Sequence, residues 1–347
     1  MKDESLTKAE RVRAVDGLRQ LKRQLAAEVP RKTVADRLLL ATWNIREFDS
    51  EKYGPRCPES FSYIAEIIDH FDLVAVQEVR DDLAALKRVQ NILGGWWKYL
   101  VTDVTLGASG NKERLAFLFD TRKVVFDGLA GELVLPARAG APALQFARTP
   151  FLCGFKAGWS QFQICTVHIY YGKGVPLDER RVQEIGDLAQ TLAGIAGGGE
   201  RKVKSAVGKR AKATPVPAQN LIVLGDFNIF NRQDKTFEKL TEAGFVIPEE
   251  LDGSNLERDK HYDQIAYLAG SDLVTTGKAG VFDWQASVFG KDQAAKYADL
   301  LAKSGKRPAV APSKYNDWRT YQMSDHLLLW AEFDIDFSDR YLASVAA

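Results

Sequence analysis

The chain has 347 residues, 46% hydrophobic and 27% charged, a composition that excludes a disordered chain and fits an ordinary folded globular protein. Its 47 Lys and Arg offset 46 Asp and Glu to a formal net charge of +1, so no global basic field draws in a polyanion and only a local patch can do so. Three cysteines (Cys57, Cys153, Cys165) with no Cys-x-x-Cys spacing support neither a zinc site nor a disulfide framework, and point to free thiols in a reducing compartment.

From Asp3 to Glu28 the apolar residues Leu6, Val12, Val15, Leu18, Leu21 and Leu25 recur at helical steps, with Pro30 beyond the end. An amphipathic helix is expected, appended over residues 1–34, which either packs on the domain or docks a partner. Its acids Asp3, Glu4, Glu10, Asp16 and Glu28 do not fit a secretory signal. Nowhere do about 18 apolar residues run together, so no membrane insertion and a cytoplasmic location are expected.

A strand is expected at Leu38 to Ile45, then a helix from Glu59 to His70, a strand at Leu73 to Val79 and a helix from Asp82 to Leu93. Further strands are expected at Trp97 to Val104, Arg114 to Phe119, Val124 to Leu135, Pro150 to Lys156 and Gln161 to Ile169, with a helix from Asp178 to Ala193. Residues 194–218 break the pattern. Gly, Ala and Pro dominate, and Arg201, Lys202, Lys204, Lys209, Arg210 and Lys212 fall together, which predicts a mobile basic insertion, either solvated without a role or touching a polyanion. Strands at Leu221 to Leu224, Gln264 to Leu268 and Leu327 to Phe333 and helices at Asp234 to Ala243 and near Lys291 to Ala302 complete the order, with a C-terminal tail at 335–347. Hairpin-like pairs and strand-helix-strand passages both occur, so a mixed sheet system covered by helices is expected.

Polar residues cluster where the apolar runs end. Glu78 closes Leu73 to Val79, where it can either bind a hard divalent cation such as magnesium or manganese or cap the following helix; Asn44 is equally ambiguous alone. Asp226 and Asn228 are two apart, so in extended backbone they face the same way, one to orient or deprotonate water and the other to donate to a phosphoryl oxygen; the alternative is an Asp-Asn turn cap. Gly225 leaves room for a ligand to approach. Two of only four histidines, His168 and His326, stand at strand ends, and Asp325 adjoins the second. Asp263 is placed to orient a histidine.

The ordered set Trp43-Asn44-Ile45, Gln77-Glu78, Asn111-Lys112-Glu113-Arg114, Arg148-Thr149-Pro150, Thr166-Val167-His168, Gly225-Asp226-Phe227-Asn228, Tyr262-Asp263 and Ser324-Asp325-His326 resembles the endonuclease/exonuclease/phosphatase superfamily. It is most similar to the pancreatic-type deoxyribonuclease branch, through Asn44-Ile45-Arg46, Gln77-Glu78-Val79-Arg80-Asp81, Lys112-Glu113-Arg114 and Phe282-Asp283. The resemblance implies an α/β, four-layered sandwich, with two mixed β-sheets face to face and helices outside, over residues 38–334. It implies that Glu78 and Asn44, with Asp325, hold a Mg2+ (or Mn2+) ion, and that Asp226 and Asn228 handle water and phosphate. His168, oriented by Glu113, and His326, oriented by Asp263, would flank the phosphorus, while Arg148, Arg46, Arg80 and the segment at Asn111 would contact substrate. Asn111 stands where that branch has a stacking tyrosine. The implied activity is metal-dependent hydrolysis of phosphodiesters in DNA; a phospholipid head group or small phosphate ester is the alternative substrate, and an inactive binding protein the alternative class.

Overall fold

Leu38, Leu40 and Leu39, Ala41, Trp43 alternate along one segment, and both sets are buried, the first between two sheets and the second beneath helices. A strand apolar on both faces belongs in the interior of a layered sandwich. A computed structural model describes residues 6–50, 55–105, 112–135, 145–197, 199–202, 213–216, 219–269, 273–302 and 309–346. Its first half runs α1 (Lys8–Glu28), β1 (Arg37–Phe48), α2 (Pro58–Asp69), β2 (Leu73–Val79), α3 (Ala84–Leu93), β3 (Trp97–Val101), β4 (Arg114–Asp120), β5 (Val125–Glu132), β6 (Phe151–Ala157) and β7 (Ser160–His168). There follow α4 (Glu179–Ala196), β8 (Gly199–Lys202), β9 (Ala213–Val216), β10 (Asn220–Asp226), α5 (Lys235–Glu242), β11 (Phe245–Val246) and β12 (Asp263–Leu268). The last elements are β13 (Val274–Phe282), α6 (Ala298–Leu301), α7 (Tyr315–Gln322), β14 (Leu328–Asp334) and α8 (Ser338–Ala346).

Two six-stranded mixed sheets result, ordered β13-β14-β1-β2-β4-β3 and β11-β12-β10-β7-β6-β5. Their facing sides share one apolar layer that includes Leu38, Leu40, Phe117, Phe155, Ile164, Leu224 and Leu329. A second cluster joins the outer face of the first sheet to α1, α2, α3 and α7, and a third joins the second sheet to α4 and α5. Helices, sheet, sheet and helices make four layers, as the resemblance implied.

The first helix is held by specific chemistry. Thr7 and Glu10 form a reciprocal capping box at its start. Leu21 and Leu25 are fully buried, each contributing about 1.5–3 kcal/mol by burial. Gly17 lies where a Cβ would meet the Tyr63 hydroxyl at 2.4 Å, and Arg13 pairs with buried Glu59 at 3.1 Å and with Asp299 at 2.7 Å.

Several elements differ from expectation. The helix expected to end near Ala193 continues to Ala196, and part of the basic segment forms a hairpin, β8 with β9, instead of a loop. Lys204, Lys209, Arg210 and Lys212 lie outside the described residues. β13 was not expected: Thr, Gly and Ala dominate it, and pairing with β14 at the sheet edge, across a bulge between Thr275 and Ala279, holds it rather than its own apolar content. α7 begins without a side-chain cap and carries polar residues between its buried Tyr315 and Trp318, so its periodicity is faint. The expected tail contains α8, whose Tyr341 lies 5.7 Å from the Trp159 ring.

Candidate active site

The ends of β1, β2, β7 and β10 converge. Asp226, the last residue of β10, pairs in register with His168 of β7 on one side and with Asp263 of β12 on the other. On the first sheet Asn44 pairs with Gln77, beside Glu78. The Asn44 amide nitrogen joins the sheets, donating to Asp226 Oδ2 at 2.9 Å and to Glu78 Oε1 at 3.0 Å.

Backbone irregularity aims these groups. In β2, Val74 and Val76 face the helices and Gln77 the interior, so regular alternation would send Glu78 under the helices. A register shift between Val76 and Val79, with Glu78 at φ 60°, turns its side chain into the cavity instead. There Glu78 Oε2 accepts the Glu47 backbone N–H at 2.7 Å and caps nothing; at the start of α3 the N-cap Leu83 makes no side-chain cap, and Asp82 before it accepts the Ala84 N–H at 2.9 Å. Asp226 and Asn228 both line the cavity, though not through extended backbone: the strand ends at Asp226, whose Oδ1 accepts the Asn228 N–H at 2.9 Å, and Asn228 sits at φ 53°. The turn alternative thus describes the local geometry. Gly225, at φ 133°, makes room for a neighbouring strand rather than a ligand, since a Cβ there would stand 2.2 Å from the Val167 carbonyl oxygen.

Ser324 fixes the third strand end. Its fully buried hydroxyl donates to the Asn44 carbonyl at 2.6 Å and accepts the backbone N–H of Arg46 at 3.2 Å and of His326 at 2.9 Å. The Trp43 indole donates to the His326 carbonyl at 3.0 Å.

The two imidazoles face one carboxylate oxygen. His168 Nε2 lies 3.4 Å and His326 Nε2 3.9 Å from Asp226 Oδ2. Behind them, His326 Nδ1 lies 2.7 Å from Asp263 Oδ2, and His168 Nδ1 lies 3.0 Å from Glu113 Oε2. Burial opposes charge on His326, yet Asp263, Asp226 and Asp325 outweigh it and hold its pKa well above 6.5. Burial likewise works against ionised Glu113, but His168 and Arg148 dominate and hold it at about 2. Glu78 is pushed the other way, by burial first and then by repulsion from Glu113 and Asp325.

The remaining expected residues sort unevenly. Arg148 lines the cavity, but its Nε and Nη2 grip Glu113 at 2.7 and 3.4 Å. Arg46 lines it too, with Nε 3.3 Å from Asp325 Oδ2, Nη1 donating to Thr320 at 2.5 Å and Nη2 to Tyr321 at 2.6 Å. Arg80 lies 3.7 Å from Glu47 and is not among the residues of the cavity wall. Asn111 lies outside the described residues. Glu47, Tyr171 and Tyr262 complete the wall of a cavity of about 390 Å³ and were not singled out as site residues. Tyr262 was signalled by its place before Asp263; Glu47 and Tyr171 follow strand ends without any pattern to mark them.

The donor set fits a hard divalent cation. Ligand atoms of Glu78, Glu113 and His168 lie within 4.8 Å of one another, as do those of Asp226, Asp263 and His326. Asn44 Oδ1 is buried with no hydrogen-bond partner, on an amide that stands between two carboxylates. A cation bound there would satisfy that atom and relieve the repulsion on Glu78. Asp325 stands apart from both groups, drawn to Arg46, though it lines the same cavity.

This layered fold, with carboxylates and paired imidazoles at converging strand ends, is that of a phosphoester hydrolase, and the chain belongs to the Endonuclease/Exonuclease/phosphatase family, whose model matches residues 41–245. Family members depend on divalent metal. Among individual proteins it is similar to deoxyribonuclease-1 of Bos taurus, 27% identical over 269 residues that cover 72% of this chain and 84% of that protein. This agrees with the deoxyribonuclease-like motifs. Among solved structures, an endonuclease/exonuclease/phosphatase family protein of Bacteroides thetaiotaomicron superposes with a TM-score of 0.53 at 16% identity, covering 86% of this chain and 95% of that one. The human nocturnin catalytic domain gives 0.52 at 16% identity, covering 86% and 94%. At that identity these two show the shared fold. Among the described residues no helix is long and apolar enough to cross a membrane.

Proposed function

We propose that the chain is a Mg2+- or Mn2+-dependent phosphodiesterase that cuts DNA internally with little sequence preference. The observation that carries this reading is the convergence of His168 and His326 on Asp226 Oδ2, each imidazole backed by its own buried carboxylate. Glu78, with Asn44 buried behind it, would hold the ion, and Asp325 lines the same cavity as Glu78. When bound, the ion neutralises charge gathering on the phosphoryl oxygens.

The chain's own groups do the rest. Asp226 orients the attacking water and takes its proton as the new P–O bond forms opposite the leaving oxygen. Asn228 keeps one amide hydrogen on the Ile169 carbonyl at 2.8 Å and offers the other to a phosphoryl oxygen. His326, held protonated by Asp263, gives its proton to the leaving oxygen as that bond breaks, and His168 donates to the phosphate from the other side. Arg148 and Arg46 add positive charge on the cavity wall, Arg46 with its fork already engaged by Asp325, Thr320 and Tyr321, and Arg80 lies beyond the wall, where a DNA backbone phosphate would be positioned without its sequence being read. Residues 38–334 form the catalytic unit in this reading, with 1–34 appended. The three buried free cysteines are in keeping with a reducing, cytoplasmic setting.

Circular single- and double-stranded DNA, RNA and a generic phosphodiester, each with Mg2+ and with chelator, test the proposal. Chelator-sensitive cutting of the DNA circles is expected. Hydrolysis confined to the generic ester, or cutting undiminished by chelator, refutes it.

A further inference from the structure

Beside His326 an aromatic surface continues out of the cavity. The Tyr262 ring lies 5.7 Å from His326, Phe230 meets Tyr262 edge-on at 5.4 Å, and Tyr171 stacks on Phe230 at 6.4 Å with an interplanar angle of 22°. Core packing accounts for Phe230, which is 9% exposed, but not for Tyr171, which is 44% exposed and lines the cavity. Tyr171 is held from behind. Fully buried Arg181 of α4 donates to the Tyr171 carbonyl at 2.7 Å and to the Pro176 carbonyl at 2.9 Å, with its guanidinium 5.0 Å from the Phe230 ring. Gly174, at φ 68°, clears the space next to the Tyr171 hydroxyl, where a Cβ would approach to 3.0 Å. The Lys260 ammonium lies 5.9 Å from the Phe230 ring.

A ring carried on a tethered backbone and leaning on a second ring loses less freedom when a ligand covers it than one on a free loop. Such a ring beside a phosphate-binding cavity, with a cation close by, suits a phosphate ester that carries a flat apolar face. We propose that Tyr171, backed by Phe230 and Tyr262, stacks an unpaired nucleobase next to the scissile phosphate, so that the enzyme favours single-stranded or locally opened nucleic acid. A duplex keeps its base faces covered by neighbouring bases, whereas an unpaired base presents its face and gains by stacking on a ring. The inference rests on the phosphodiesterase reading above.

The test is kcat/KM of the full chain on a single-stranded DNA 20-mer and on its duplex, in Mg2+, for the wild type, Tyr171→Ala and Tyr171→Trp. The single-strand to duplex ratio should fall about tenfold in Tyr171→Ala, the scale of one base–aromatic stack, and be retained in Tyr171→Trp, which keeps a ring. An unchanged ratio in Tyr171→Ala, or an equal fall in Tyr171→Trp, overturns the inference. Wild-type cleavage of the duplex alone overturns it while leaving the phosphodiesterase reading intact; cleavage of neither removes both.

Discussion

Replacing Glu113 by Gln removes one charge from the most tightly bound acid of the site while keeping its shape. Arg148 grips this carboxylate at 2.7 Å, His168 approaches it at 3.0 Å, and it is 6% exposed. The difference between an ordinary glutamate at 4.5 and about 2 in the folded chain corresponds to about 3 kcal/mol of stability at neutral pH. The cost of leaving a buried Arg148 without its partner, about 3–5 kcal/mol, gives a similar figure by another route. Because the folded value is depressed, this stabilisation is fully present above pH 4.5 and is lost as pH falls through about 2. Urea unfolding of wild type and Glu113→Gln at pH 7.5 should therefore differ by about 3 kcal/mol, and at pH 3.5 by roughly 1 kcal/mol less. With His168 no longer held, kcat should fall by about 10²-fold. A stability difference below about 1 kcal/mol at pH 7.5, or one that grows on acidification, would show that the Glu113 carboxylate is not held by Arg148 and His168 in this way.

Three further outcomes follow from particular residues. Gly225→Ala drives a methyl into the Val167 carbonyl at a positive φ, and should destabilise by about 2–5 kcal/mol and disorder Asp226; thermal melts of the variant unshifted from wild type would contradict this. Burial pushes Glu184 up to about 7, so the folded state holds its proton more tightly than the unfolded chain and stability falls as pH rises from 4.5 through about 7. Glu184→Gln, which keeps an acceptor for the Ala147 N–H, should flatten that slope and raise stability at pH 8 by up to about 3 kcal/mol in denaturant titrations; an unaltered slope counts against the assignment. Arg13→Ala strands buried Glu59, whose pKa burial already lifts to about 7, so its loss of about 3 kcal/mol should be evident at pH 8 and smaller at pH 5, where Glu59 is protonated; equal losses at both values would exclude the linkage.

The layers were legible because β1, β2, β7 and β10 carry apolar runs that alternate between two cores, and the site was legible because each run ends abruptly in acid, amide or imidazole. What stayed hidden depends on contacts between distant elements. Nothing local in Glu78 marks the bulge that turns it, and the Asp226–Asn228 pair reads as extended until the left-handed turn at Asn228 is seen. Arg46 reads as a free phosphate contact because Thr320 and Tyr321 sit on α7, a helix whose polar sequence carries little periodic signal. Tyr171 is a lone aromatic in a loop, and only Phe230 and Arg181, brought from β10's loop and α4, make it part of a surface.

Every role proposed above depends on hydrolysis of DNA at the imidazoles converging on Asp226. Its most direct measurement is the rate at which purified, folded wild type, Asp226→Asn and His326→Ala convert supercoiled plasmid to nicked circle in Mg2+. Wild type should nick the plasmid in a reaction that chelator stops, with a rate at least about 10²-fold lower in each variant. Nicking by either variant at the wild-type rate would contradict it.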